Sequence, residues 1–200
     1  MISGGLEKWQ ALTLMIIGLD GSGKTSLAKR LKSIEEGYEY YTSTTFMNIE
    51  KIMLPSRNNP CIVYDMSGQG RYREWWNDFY SEVDGIFFMV DATDHERLSI
   101  VQEMLNLIPQ DTLLKDVNMP ILVIFNKMDW PNALSSKEIL DFIEFNDIKL
   151  RNSHIKWGVE ETIVINGQGV PNWIKFFEDN VRIVSAVDEY REKHKEEFFE

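Results

Sequence analysis

Near-continuous hydrophobic runs alternate with amphipathic stretches along most of the chain. Leu12-Thr13-Leu14-Met15-Ile16-Ile17, Cys61-Ile62-Val63-Tyr64 and Ile121-Leu122-Val123-Ile124-Phe125 are such runs. They have the pattern of strands buried on both faces. Strands are expected near 12–18, 45–53, 60–66, 85–91, 120–126 and 160–166. Between them, apolar residues recur at helical spacing, as at Leu27, Ala28 and Leu31. Helices are expected near 24–34, 71–81, 95–108, 136–144 and 170–180. This rhythm predicts an α/β domain with three layers: a mostly parallel six-stranded sheet and helices on both faces. The run 45–53 passes through the short polar link Pro55-Ser56-Arg57-Asn58-Asn59-Pro60 into the next strand. That link reads as a hairpin, so the second strand is expected to be an antiparallel edge. The domain is expected to span 12–180, after a short N-terminal segment, 1–11, and before a helical extension, 181–200, rich in Glu, Lys and Arg.

Composition narrows the class only a little. Two hundred residues suit one domain with a sizeable core. A net charge of −11 argues against a nucleic-acid or anionic-membrane partner. The single cysteine, Cys61, lies inside an expected strand and reads as a small core residue. No disulfide framework is possible within the chain, which fits a reducing, cytoplasmic setting. No apolar run is long enough to span a bilayer, and no signal peptide opens the sequence.

Three short stretches change the picture. The first, Gly18-Leu19-Asp20-Gly21-Ser22-Gly23-Lys24-Thr25, has the spacing of a P-loop between a strand and a helix. Its glycines let backbone N–H groups turn inward toward phosphate, and the helix N-terminus adds partial positive charge. Asp20, Gly21, Ser22, Gly23, Lys24, Thr25 and Ser26 are therefore expected around the phosphates. Lys24 would reach the β- and γ-phosphates, and the Thr25 hydroxyl would bind Mg²⁺. The second stretch, Asp65-Met66-Ser67-Gly68-Gln69, follows a strand. Asp65 would hold Mg²⁺ through a water, Gly68 would approach the γ-phosphate, and Gln69 would orient the attacking water as the catalytic residue. The third, Asn126-Lys127-Met128-Asp129, ends another strand. Asp129 can accept from both N1–H and the exocyclic amine of guanine, a donor pair that adenine lacks. Such a site rejects the wrong base because its carboxylate is then left unpaired. Asn126 and Lys127 would brace the loop and cover the base.

The run Val63-Tyr64-Asp65-Met66-Ser67-Gly68-Gln69-Gly70-Arg71-Tyr72-Arg73 resembles the Arf-like small GTPases, and within them the ciliary subgroup that recruits the BBSome coat. Asn48-Ile49-Glu50-Lys51 is similar to the start of the interswitch strand of that subgroup. The resemblance covers about residues 12–180. It implies a small GTPase G domain, with GTP and GDP as ligands, and a switch that recruits effectors or coat in membrane or ciliary trafficking. It also implies activating and exchange proteins as partners, and a cytoplasmic location at the cilium, basal body or membrane periphery.

The resemblance places the first switch at Ser43-Thr44-Thr45-Phe46-Met47. Thr44 falls on the Mg²⁺-binding threonine, with Thr45 as the alternative if the register slips by one. The proline, glycine and phenylalanine of the family's motif are all changed here. Asp20, shared with other Arf-like proteins, implies slow intrinsic hydrolysis and a need for an activating protein. Met47, Tyr64, Trp76 and Phe79, flanked by Trp75, fall on the family's effector surface, although each could equally be buried. Arf proteins carry a myristoylated glycine in position two, and here that position is Ile2. Membrane association is thus expected to be indirect, or to depend on a native start missing from this sequence.

Counting back from Gly169-Val170, the loop that closes the base site is Ile163-Val164-Ile165, with no small polar residue. The Val164 N–H can still donate to guanine O6, with Ile165 beside the purine. Guanine specificity is expected to survive, and the lost side-chain bracing to speed nucleotide exchange. Two other readings remain. A nucleotide-locked adaptor would bind GTP and barely hydrolyse it. A P-loop phosphotransferase would need a second acceptor site and no Asn-Lys-x-Asp.

Overall fold

The computed structural model describes residues 12–32, 44–53, 60–111, 114, 118–169, 172–173, 175–177 and 179–180. The expected N-terminal segment, most of the switch I approach and the C-terminal extension 181–200 lie outside the described residues. The sheet runs through β1 (Leu12–Gly18), β2 (Met47–Met53), β3 (Pro60–Met66), β4 (Gly85–Asp91), β5 (Pro120–Asn126) and β6 (Lys156–Glu161). Its spatial order is β2-β3-β1-β4-β5-β6. β2 pairs antiparallel with β3, with Asn48 opposite Asp65, and the remaining pairings are parallel. This is the three-layer P-loop architecture with one antiparallel edge.

The buried strands alternate between two cores. Leu12, Leu14 and Ile16 of β1, Phe87 and Met89 of β4, and Leu122 and Ile124 of β5 face one way. There they meet Leu27, Ala28 and Leu31 of α1 (Lys24–Lys32), together with Trp173 and Phe177. Met15, Ile17, Ile86, Phe88, Val90, Ile121, Val123 and Phe125 face the other way. They meet Leu98, Val101 and Leu105 of α2 (Leu98–Leu107), Ile139 of α3 (Ser136–Phe142) and Phe145 and Ile148 of α4 (Phe145–Arg151). Period-two burial on both faces is why these strands read as unbroken apolar runs.

Some boundaries differ from the sequence reading. The helix expected at 136–144 ends at Phe142, because Glu144 adopts a left-handed conformation at φ 52° and starts a second helix, α4. The start of α3 was legible: Ser135 and Glu138 form a reciprocal capping box. The segment 71–81 is a 3₁₀ helix, Gly70–Glu82. A further 3₁₀ turn, His95–Arg97, precedes α2.

The largest displacement is β6, which ends at Glu161 instead of spanning 160–166. As an edge strand it is mostly half-buried and carries Lys156, Gly158, Glu160 and Glu161, so it lacks an apolar signature. A side chain at Gly158 would come within 2.5 Å of the Phe176 ring, so packing dictates the glycine there. The apolar Ile163-Val164-Ile165 lies in the turn that follows. Among the described residues, no helix is long and apolar enough to cross a membrane.

Candidate functional site

The three motifs converge at the C-terminal edge of the sheet, where an open α/β sheet gathers ligands. The P-loop leaves β1 at Gly18, with φ 136°, and passes Gly21 and Gly23 at φ 79° and 101°. At Gly23 a Cβ would lie 2.3 Å from Asn126 Nδ2, so both conformation and space demand glycine. Lys24 is buried at the start of α1, and its ammonium donates to the Leu19 carbonyl at 2.7 Å across the loop. Burial lowers its pKa to about 8, against a partial opposing pull from Asp65. Ser26 is half-buried in the first turn of the helix. The Ser22 hydroxyl is buried with no partner.

Beside Lys24, Asp65 is 1% exposed at the end of β3. Its Oδ2 accepts from the hydroxyls of Thr25 at 2.7 Å and Thr44 at 3.3 Å, and from Asn48 Nδ2 at 3.4 Å. The two hydroxyls lie 2.9 Å apart. Of the two threonines expected in the first switch, Thr44 reaches this cluster, whereas Thr45 is exposed. Burial raises the Asp65 pKa, and the hydrogen bond from Thr25 opposes it. Its Oδ1 is buried and unpartnered. An orphan carboxylate oxygen beside two hydroxyls is a donor set suited to a hard divalent cation that keeps several waters. Thr25, Thr44 and Asp65 are the residues able to hold one, and the antiparallel register of β2 adds Asn48.

Gly68 lies flush against the P-loop: a Cβ there would be 2.4 Å from Asp20 N and 2.5 Å from Gly18 O. Gln69 follows it, half-buried, with its N–H directed at Ser67 Oγ at 3.4 Å. The carboxylate of Asp20 is taken up by two arginines, with Arg97 Nη1 at 2.9 Å and Arg73 Nη2 at 3.4 Å. The sequence reading singled out neither arginine.

The base end is built on Asn126, which is 4% exposed. Its Nδ2 donates to Ser22 O at 2.9 Å, and its Oδ1 accepts from Val164 N at 3.2 Å. Lys127 is left-handed, at φ 65°, and its ammonium is paired with Asp91 at the end of β4. Such a backbone costs about 1–3 kcal/mol and persists only when its surroundings hold it. Asp129 stands exposed on the loop beyond, available to a ligand.

The closing turn is braced after all. Thr162 Oγ1 donates to Gln168 O at 2.5 Å, and Asn166 Oδ1 accepts from Gln168 N at 2.9 Å. The polar residues lie one position on either side of Ile163-Val164-Ile165. Val164 buries its side chain in the α1-side core, and Ile165 is 43% exposed.

The aromatic patch needs one correction. Trp76 is 2% exposed, and its indole N–H donates to Ser67 O at 3.1 Å, so it belongs to the core rather than the effector surface. Trp75 is 46% exposed. Adjacent residues of a helix point in different directions, and Trp76 shares the buried side with Tyr80 and Val83. The outward cluster is Phe46, Tyr72, Trp75 and Phe79, with Phe46–Trp75 and Tyr64–Phe79 centroids 5.6 and 5.8 Å apart. Met47 and Tyr64 are partly buried against the core beneath it, and Phe79 joins the two layers, packing on Phe46 and on Tyr64. Trp76→Ala is expected to cost about 3–5 kcal/mol of folding stability, and Trp75→Ala within about 1 kcal/mol, by denaturant titration.

A glycine-shaped P-loop, a threonine–aspartate cluster and a base loop at one sheet edge define a small GTPase of the P-loop class. The model of the ADP-ribosylation factor family matches residues 2–181, and the chain belongs to that family. Its relatives include ADP-ribosylation factor-like protein 6 of Danio rerio, 30% identical over 91% of this chain and 94% of that protein. ADP-ribosylation factor-like protein 1 of Saccharomyces cerevisiae is 31% identical over 86% of this chain and 88% of its own. The fold is similar to that of the Arl6 (BBS3) small GTPase of Trypanosoma brucei with the bound nucleotide analogue GppNp. The TM-score is 0.75 at 24% identity, covering 86% of this chain and 99% of that one.

Proposed function

We propose that this Arf-family GTPase is a GTP/GDP switch that recruits a coat or effector protein, in a trafficking role related to that of the cilium. The observation that carries the reading is the cluster of Thr25, Thr44 and Asp65. It ties the first switch to the P-loop through groups suited to Mg²⁺. In this reading Lys24 holds the phosphates, Thr25, Thr44 and Asp65 would hold a Mg²⁺ whose charge would offset theirs, Gly68 meets the γ-phosphate and Gln69 orients the water. Asn126 and Asp129 hold guanine, while the Val164 N–H, expected at guanine O6, is taken by Asn126 Oδ1 and braces that side chain.

Hydrolysis removes the γ-phosphate contacts of Gly68 and Thr44 and releases both switches. Phe46 lies two residues after Thr44 and packs on Trp75, so the outward aromatic cluster is coupled to the same event. Trp and Tyr on such a surface are typical interface anchors. The resemblance of the run Val63 to Arg73 to the ciliary Arf-like subgroup favours a partner such as the BBSome coat.

A pull-down with protein loaded with GppNHp or GDP tests the switch. Capture is expected only with GppNHp, and Trp75→Ala should weaken it by at least about tenfold. Equal capture of the same partners in both nucleotide states would refute the reading.

A further inference from the structure

The arginines at Asp20 have no part in the reading above. Arg97 donates through Nη1 to Asp20 Oδ1 at 2.9 Å and through Nη2 to the Asp20 carbonyl at 3.1 Å. It is itself held by Asp94, whose Oδ2 lies 2.6 Å from Nε. Arg73 donates through Nε to the Gly68 carbonyl at 2.7 Å and through Nη2 to Asp20 Oδ1 at 3.4 Å. Three separate elements therefore meet on one P-loop carboxylate: the P-loop, the 3₁₀ helix after Gly68 and the turn before α2. Two guanidinium groups balance the two carboxylates of Asp20 and Asp94. Asp20 thus adds little net negative potential where a phosphate would lie, despite its place in the loop.

We propose that Arg73 and Arg97 are positioning residues that latch the Gly68–Gln69 segment onto the P-loop through Asp20, selectively prolonging the GTP-bound state. The proposal rests on the functional reading above. Arg73 is the direct grip, since it holds the backbone of Gly68, and its side chain is 16% exposed. Arg97 acts one step back, by fixing Asp20. The selectivity follows from what Gly68 touches. In that reading it meets the γ-phosphate, whereas GDP is held by the P-loop, Lys24 and the base loop. Loosening Gly68 should therefore shorten the residence of GTP and leave that of GDP nearly unchanged. Gln69 is the next residue, so the same loosening should slow hydrolysis.

Release of fluorescent mant-GppNHp and mant-GDP into excess unlabelled nucleotide tests this on the full chain. Arg73→Ala is expected to speed mant-GppNHp release about tenfold, the weight of one charge-assisted hydrogen bond. Mant-GDP release should stay within about twofold, a difference that a general loss of structure would not produce. Arg97→Ala keeps every contact of Arg73 with Gly68, and should act in the same direction by about threefold. The double variant should fall short of the product of the two, because both act through Asp20. Equal acceleration of both nucleotides would overturn the latch, as would release of both at the unmodified rate. Failure of the unmodified protein to bind either nucleotide would instead overturn the functional reading.

Discussion

Asp129→Asn is expected to move the protein from guanosine to xanthosine nucleotides. Asp129 is exposed on a loop tied to two neighbouring segments and closed by a turn of its own. Lys127 is anchored to Asp91, Met128 N lies 3.5 Å from Thr162 O, and Trp130 N donates to Lys127 O at 3.1 Å. In the proposed reading the carboxylate accepts from N1–H and the exocyclic amine of guanine. An asparagine turns one acceptor into a donor, which faces the amine of guanine but fits the corresponding oxygen of xanthine. Losing one charge-assisted bond and opposing two donors should weaken GDP binding on the order of a thousandfold. Xanthosine diphosphate should bind the variant better than GDP does. Displacement of a fluorescent nucleotide by each diphosphate measures both. A variant that keeps its preference for GDP would show that Asp129 does not read the base.

Gln69→Leu should slow hydrolysis stimulated by an activating protein by at least about a hundredfold, while GTP affinity stays within about threefold. Gln69 neighbours the Gly68 segment that lies against the P-loop, and its own N–H is directed at Ser67 Oγ. In the proposed role its contribution belongs to the transition state, where one oriented polar group is worth about 10²–10³ in rate. Single-turnover hydrolysis with an Arf-family activating protein reads the rate, and nucleotide titration reads the affinity. An unchanged stimulated rate would remove Gln69 from the water-positioning role.

The sheet was legible because its central strands are buried on both sides. Met15 and Ile16 face different cores, yet both must be apolar, so β1 announces itself. β6 was misplaced for the converse reason: at an edge, Lys156, Glu160 and Glu161 are affordable, and the apolar Val164 beyond them is wanted by the α1-side core. The phosphate and base motifs were legible because their chemistry is local in sequence. Asn48, Arg73, Arg97 and Asp91 were not, because tertiary pairing brings them in: Arg97 lies 77 residues from Asp20, and Asp91 36 from Lys127. Trp75 and Trp76 show a third limit. Adjacent identical residues carry no phase, so only packing decides which of them faces outward.

Asn126 has a further consequence. One amide bridges the Ser22 carbonyl and the Val164 N–H, so the floor under the phosphates and the wall beside the base share a single hinge pin. The two ends of a bound nucleotide are therefore not independent handholds. Prising up the P-loop is expected to disturb the turn beside the base as well, because both hang on the same side chain.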